Sequence, residues 1–167
     1  MQNISELIIQ SYRKVDLCRA FDLDLELIGK HVINHLPVSN AEKLAEVNAY
    51  EELIDQIKKQ GLEKGGQLEE TQSLLDKLTK LHNILISSDK KYQDIYARAK
   101  SHIDENMKLA NGKITNTIQI CINGIYGFLL LKLNGREIEP SDKQMIDQFG
   151  DVLSYLSYKY EQQVGSN

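Results

Sequence analysis

Four histidines, two cysteines and several clustered carboxylates are the residues of this 167-residue chain that could do chemistry. His31 and His35 stand four apart. On one helix that spacing puts both imidazoles on the same flank, beside Ile28, where they can act as two ligands of a metal ion. His82 or His102 would supply a third ligand through the fold, so the metal candidates are His31, His35 and His82. The usual companions of such a site are missing, since neither His-Glu-x-x-His nor Glu-x-x-His occurs. The plainer reading leaves His31 and His35 at a core boundary ahead of Pro37, near a helix C-terminus that favours imidazolium. His82, in LTKLHNIL, is then a half-buried histidine on the edge of a leucine stripe.

Cys18 and Cys121 each fall within an apolar periodic segment, where cysteine behaves as a small core residue. With no Cys-x-x-Cys, neither a disulfide framework nor a cysteine zinc site is indicated. Asp22, Asp24 and Glu26, and again Glu51, Glu52 and Asp55, read as helix caps and solvated faces. Lys64-Gly65-Gly66 follows no strand and lacks the lysine–hydroxyl ending of a phosphate loop, so it is a loop. No dinucleotide fingerprint or nucleophile elbow is present. Tyr155, Tyr158 and Tyr160 point in different directions from one helix and read as core-edge rings, with a partner-facing aromatic rim as the alternative.

The elements that must position these residues are helical. Asn3-Ile4-Ser5-Glu6 has the capping-box arrangement, and Ile4, Leu7, Ile8, Ser11, Val15 and Cys18 follow at helical spacing. Asp22 or Asp24 can cap a second helix with Leu25, Ile28, Val32 and Leu36, stopped by Pro37. Ser39 to Glu42 repeats the capping box ahead of Leu44, Val47, Tyr50, Leu53, Ile54 and Ile57, which end at Gly61. After the loop GLEKGG come the stripe Leu74, Leu78, Leu81 and Leu85, and then Tyr92, Tyr96, Ala99, Ile103, Met107 and Ala110. A last helix opens near Pro140, with Met145, Phe149, Val152, Leu153, Leu156 and Tyr160 facing inward.

Between them lies ICINGIYGFLLLKL, the most apolar stretch of the chain. It is too short to span a membrane, which takes roughly 20 apolar residues. Its β-branched residues have no partner strand, and an unpaired strand in a core leaves its backbone polar groups unmet. Read as a helix it is apolar almost all round, with Asn116, Gln119 and Asn123 as its one polar strip, so it should be enclosed by its neighbours. Gly124 and Gly127 predict close backbone approach there, because glycine otherwise weakens a helix.

The fold class is therefore all-α: one domain over residues 1–163, a bundle of about six to seven antiparallel helices around a central apolar helix near 114–133. Residues 164–167 are expected to be a frayed tail. The net charge of −4 gives no electrostatic reason for nucleic acid, and no stretch calls for a membrane. The N-terminus lacks the pattern of a secretory signal, so a cytoplasmic address is the default expectation.

The segments NISELIIQSYRKVDLCRAFDLDLELI, EELIDQIKKQGLEKGGQL, LTKLHNILISS and ICINGIYGFLLLKLNGREIEP, in that order, resemble the domain of unknown function 4924 family. The resemblance covers nearly the whole chain and rests on the order and character of its segments. It implies a short bacterial protein with a single helical domain, and it carries over no catalytic residues, cofactor or partner. The functional expectation is a non-enzymatic helical interaction or scaffold protein with no cofactor, whose partner is another protein or a second copy in a homodimer. The alternative is a small-molecule or metal-binding module with a pocket edged by the histidines.

Overall fold

The computed structural model describes residues 3–165. Seven α-helices account for most of them: α1 (Ile4–Ala20), α2 (Leu25–His31), α3 (Asn40–Lys59), α4 (Glu69–Ser88), α5 (Lys90–Leu109), α6 (Thr117–Leu133) and α7 (Pro140–Gly165). A 3-10 turn, Ile33–His35, follows α2, and there is no strand among the described residues. No helix among them is long and apolar enough to cross a membrane. The chain divides into two compact units, one comprising residues 3–9 and 73–165 of the described range, the other Gln10–Gln72.

In the first unit α6 packs on α7, and α5 packs on both. Its buried residues include Leu75, Leu78, Leu81 and Leu85 of α4, Tyr92, Ala99 and Ile103 of α5, and Phe149, Val152, Leu153 and Leu156 of α7. Leu75 replaces Leu74 at the head of the expected stripe, and Ile146 is buried where Met145 was expected. The hydroxyls of Ser5 and Ser157 share a buried hydrogen bond at 2.7 Å, so two polar side chains enter the core without an unmet group.

Helix α6 begins at Thr117 and not at Ile114, because the Asn116 side chain accepts from the backbone N–H groups of Ile118 (2.9 Å) and Gln119 (3.1 Å). Asn116 Nδ2 also donates to Thr79 Oγ1 at 2.9 Å, and Gln119 Nε2 donates to Asn123 Oδ1 at 2.7 Å. The expected polar strip is thus a hydrogen-bonded chain. Enclosure holds for the first half of α6, where Ile118, Ile120, Cys121, Ile122 and Tyr126 are buried. It fails for the second half, where Leu130 is 38% and Leu133 56% exposed. At the far end of the unit α7 continues through Val164 and Gly165, two residues into the expected tail; the same expectation for Ser166 and Asn167 lies outside the described residues.

In the second unit Val15 and Cys18 of α1 share a core with Ile28, Ile33, Tyr50, Ile54, Ile57 and Leu68. Leu7 in the first unit and Leu44 here, expected inside, are 43% and 62% exposed. Helix α1 ends in a Schellman arrangement: Leu23 N–H donates to Cys18 C=O at 2.8 Å and Asp22 N–H to Arg19 C=O at 3.0 Å. Asp22 (φ 53°) stands where α3 and α6 use Gly61 and Gly135. Asp24 alone caps α2, accepting from Leu27 N–H at 3.1 Å. The capping box of α3 is complete, with Ser39 Oγ accepting from Glu42 N–H and the Glu42 carboxylate accepting from Ser39 N–H.

The two glycines of α6 differ. A Cβ on Gly124 would lie 2.6 Å from the ring of Phe149, which is fully buried, whereas a Cβ on Gly127 meets nothing within 4 Å. Close approach is real at Gly124 and absent at Gly127. Gly124→Ala should therefore destabilise the chain by about 1–3 kcal/mol in urea unfolding, as an overpacked core does. Gly127→Ala should instead stabilise it by about 0.5–1 kcal/mol, the ordinary helix preference for alanine over glycine. Equal effects would contradict the packing.

Candidate functional site

His31 and His35 do not share a helix face. Helix α2 stops at His31, and His35 lies in the 3-10 turn, with its N–H donating to Val32 C=O at 3.2 Å. The cause is Pro37: Leu36, the residue before it, is held extended (φ −68°, ψ 135°), so the helix cannot continue. Both imidazoles are exposed, and that of His31 stacks on Phe21 with centroids 5.9 Å apart. His102 lies 3.7 Å from Glu105 on its own helix. Among the described residues no three His, Cys, Asp or Glu side chains converge to hold a metal ion.

His82 belongs to a polar cluster that spacing along the chain does not disclose. It is buried on α4, and its Nδ1 shares a 2.7 Å hydrogen bond with the hydroxyl of Tyr92. Tyr96 packs against the same imidazole at 5.0 Å, and Tyr92 stacks on Tyr155 at 5.8 Å. Tyr155 of α7 donates its hydroxyl to Asp89 at 2.9 Å, and Lys159 Nζ reaches the same carboxylate at 3.0 Å. Asp89 is also the N-cap of α5, accepting from Tyr92 N–H at 3.0 Å. The Tyr92 backbone N–H, then Lys159, then Tyr155 hold the Asp89 carboxyl down to about 2. Lys159 is raised in turn by Asp89. Burial, and after it Asp89, raises the Tyr155 phenol, while burial raises that of Tyr92.

This cluster is built to hold helices together. Its carboxylate stays charged because it is fully hydrogen-bonded, and its phenols stay protonated. His82 is kept neutral by burial, below its ordinary range. In these states the carboxylate, the phenols and the imidazole serve as hydrogen-bond and stacking partners between α4, α5 and α7. The two thiols are no more available: burial pushes Cys121 up to about 12 and Cys18 to about 11, the latter despite Lys14 and Arg19 nearby.

Each unit carries a concave surface. In the first unit a groove of about 630 Å³ is lined by Lys91, Asp94, Ile95 and Arg98 of α5 and by Asp151, Ser154, Tyr155 and Tyr158 of α7. Of the tyrosines read as an aromatic rim, Tyr155 is thus committed to Asp89 and Tyr158 is exposed, accepting a hydrogen bond from Gln162 at 2.7 Å. In the second unit a cleft of about 590 Å³ lies among α1, the α2–α3 connection and α3. Leu17, Val32, Leu36, Val38 and Ala45 give it an apolar lining. Arg13 and Lys14 stand on the α1 side, Glu42 and Glu46 on the α3 side. Lys14 Nζ sits 3.8 Å from Glu46 and 5.6 Å from the centre of the Tyr50 ring. Neither surface is lined by His31, His35 or His82. The cleft draws on three separate segments, so its only trace in the sequence is the pair of charges at each side.

The neutral state of buried His82 has a measurable consequence. The unfolded chain takes up this proton first as pH falls, so stability from the group is complete above about 6.5 and declines below it. Urea midpoints should fall between roughly pH 7 and pH 5.5, and His82→Gln should flatten that segment. An unchanged slope in the variant would show that His82 does not titrate in this way. Asp89→Ala should lower the melting temperature more than Tyr155→Phe, because it removes the α5 cap together with both contacts to α7.

The model of one protein family, described as Domain of unknown function (DUF4924), matches residues 1–166. No curated protein and no solved structure matches the chain.

Proposed function

The chain belongs to the DUF4924 family, and we propose that it is a non-enzymatic helical interaction protein of the bacterial cytoplasm, whose contact surface is the cleft of the Gln10–Gln72 unit. The observation that carries this reading is the composition of that cleft: apolar Leu17, Val32, Leu36 and Val38 beside charged residues of both signs. An apolar centre with a polar rim is how protein contact surfaces are built. The partner is a protein segment offering an apolar side chain flanked by charges, as in helix-in-groove recognition. A rim of mixed sign and a net charge of −4 favour neither nucleic acid nor an anionic membrane surface. The groups with intrinsic reactivity, Cys18, Cys121, His82 and Asp89, are engaged in the cores and in the Asp89 cluster, which supports binding over catalysis.

Site-directed photo-cross-linking in native cells tests this. A photoreactive residue at Ala45, in the cleft, should give defined protein adducts, whereas one at exposed Ser101 of α5 should not. Val38→Glu, at a position 39% exposed, should leave the fold intact and reduce the Ala45 adducts roughly tenfold, the value of one good apolar contact. Adducts of equal yield from both positions, or indifferent to Val38→Glu, would refute the cleft as the contact surface.

A further inference from the structure

We infer that Asn111 is a site of spontaneous covalent modification, losing its side-chain amide to become aspartate or isoaspartate. Three Asn-Gly pairs stand in this chain, at 111–112, 123–124 and 134–135. Glycine after asparagine leaves the backbone nitrogen unhindered, because it carries no Cβ. That nitrogen can bond to the asparagine Cγ and give its proton to water. The Cγ–Nδ2 bond breaks, and the amino group takes up a proton and leaves as ammonia. Water then opens the cyclic imide at either carbonyl. The backbone runs through the original carbonyl carbon in aspartate and through Cγ in isoaspartate. No electrons are exchanged, and water is the only co-reactant.

The three pairs are alike in sequence, and the fold separates them. Asn123-Gly124 lies inside α6, where each backbone N–H is spent on the carbonyl four residues back. Its side chain is also held, with Asn123 Oδ1 accepting from Gln119 Nε2 at 2.7 Å, and the Phe149 ring closes on Gly124. Asn134-Gly135 ends the same helix. There Gly135 N–H donates to Lys132 C=O and Arg136 N–H to Leu131 C=O, both at 3.0 Å, so the attacking nitrogen is engaged. Asn111 and Gly112 are instead the central residues of the turn after α5, closed by Lys113 N–H donating to Ala110 C=O at 3.0 Å. Both are exposed, and no acceptor among the described residues takes the Gly112 N–H. A Cβ on Gly112 would meet nothing within 4 Å, so nothing packs against the turn there. Asn111 stands at φ 50°, a left-handed conformation that asparagine tolerates without preferring. One backbone hydrogen bond closes the turn, so Asn111 can rotate until the Gly112 nitrogen reaches its Cγ. The product carries a new negative charge just past the C-terminus of α5, where the helix dipole opposes it.

Peptide mapping by mass spectrometry tests this on the full chain, incubated in mildly alkaline buffer with and without denaturing urea. In the folded protein, acid should accumulate at Asn111 roughly tenfold or more faster than at Asn134 or Asn123, which react only from opened states. In urea the three pairs should convert at similar rates. Asn111→Gln should remove the main acidic species of the folded protein on ion exchange and leave conversion at the other two pairs unchanged. Melting curves verify that this variant is folded. Equal conversion at the three pairs in the folded chain, or none at Asn111, would overturn the inference. So would the same preference for Asn111 in urea, because flanking residues and not the turn would then be its cause.

Discussion

The carboxylate of Asp89 is the constraint on which the larger unit depends. It ends the run from α4 by capping α5 at Tyr92 N–H, and it takes the Tyr155 hydroxyl and the Lys159 ammonium from α7. One side chain thereby fixes where α5 starts and how α7 lies against it. That placement carries Tyr92 into the core between His82 and Tyr155, where its hydroxyl bonds His82 Nδ1. Buried polar groups stabilise only when their hydrogen bonds are complete. In the smaller unit Arg19 has the corresponding role, donating from Nε to Leu62 C=O at 2.9 Å, from Nη2 to Gly66 C=O and from Nη1 to Asp16, so that the glycine-rich loop is fastened to α1.

What could be read from the sequence was local. Asn3 with Glu6, Ser39 with Glu42, and Gly61 mark helix ends through contacts a few residues apart, and those ends lie where the residues indicate. The face of each helix was legible to within one position. Leu44 and Leu7 share the periodicity of the core but fall at its edge, and Tyr12 is buried without having been singled out. Periodicity reports that a face exists, and packing decides its width. The glycines of α6 make the same point: spacing marks both Gly124 and Gly127, but only the position of Phe149 distinguishes them.

The residues singled out by spacing are not brought together by the fold, and the clusters the fold does assemble leave little trace in the sequence. His31 and His35 drew attention by a spacing that implies one helix, and a proline six residues after His31 cancels it. The Asp89 cluster joins residues from α4, α5 and α7, and the cleft joins three segments of the other unit. Neither leaves a motif, because no pair within them is close in sequence and of a diagnostic type. The exceptions are the adjacent charges Arg13-Lys14 and the Glu42, Glu46 pair, one helical turn apart, which look like ordinary solvated faces until the fold sets them across from each other.

The thiols of Cys18 and Cys121 and the imidazole of His82 are buried among the helices they join. Thiol accessibility tests this burial most directly. Cys18 and Cys121 are both fully buried, with their thiolate forms suppressed. Their reaction with a water-soluble disulfide reagent should be negligible in native buffer and should rise with denaturant in step with global unfolding, as for groups exposed only in the open state. A thiol that reacted in the folded protein as fast as free cysteine would contradict this burial.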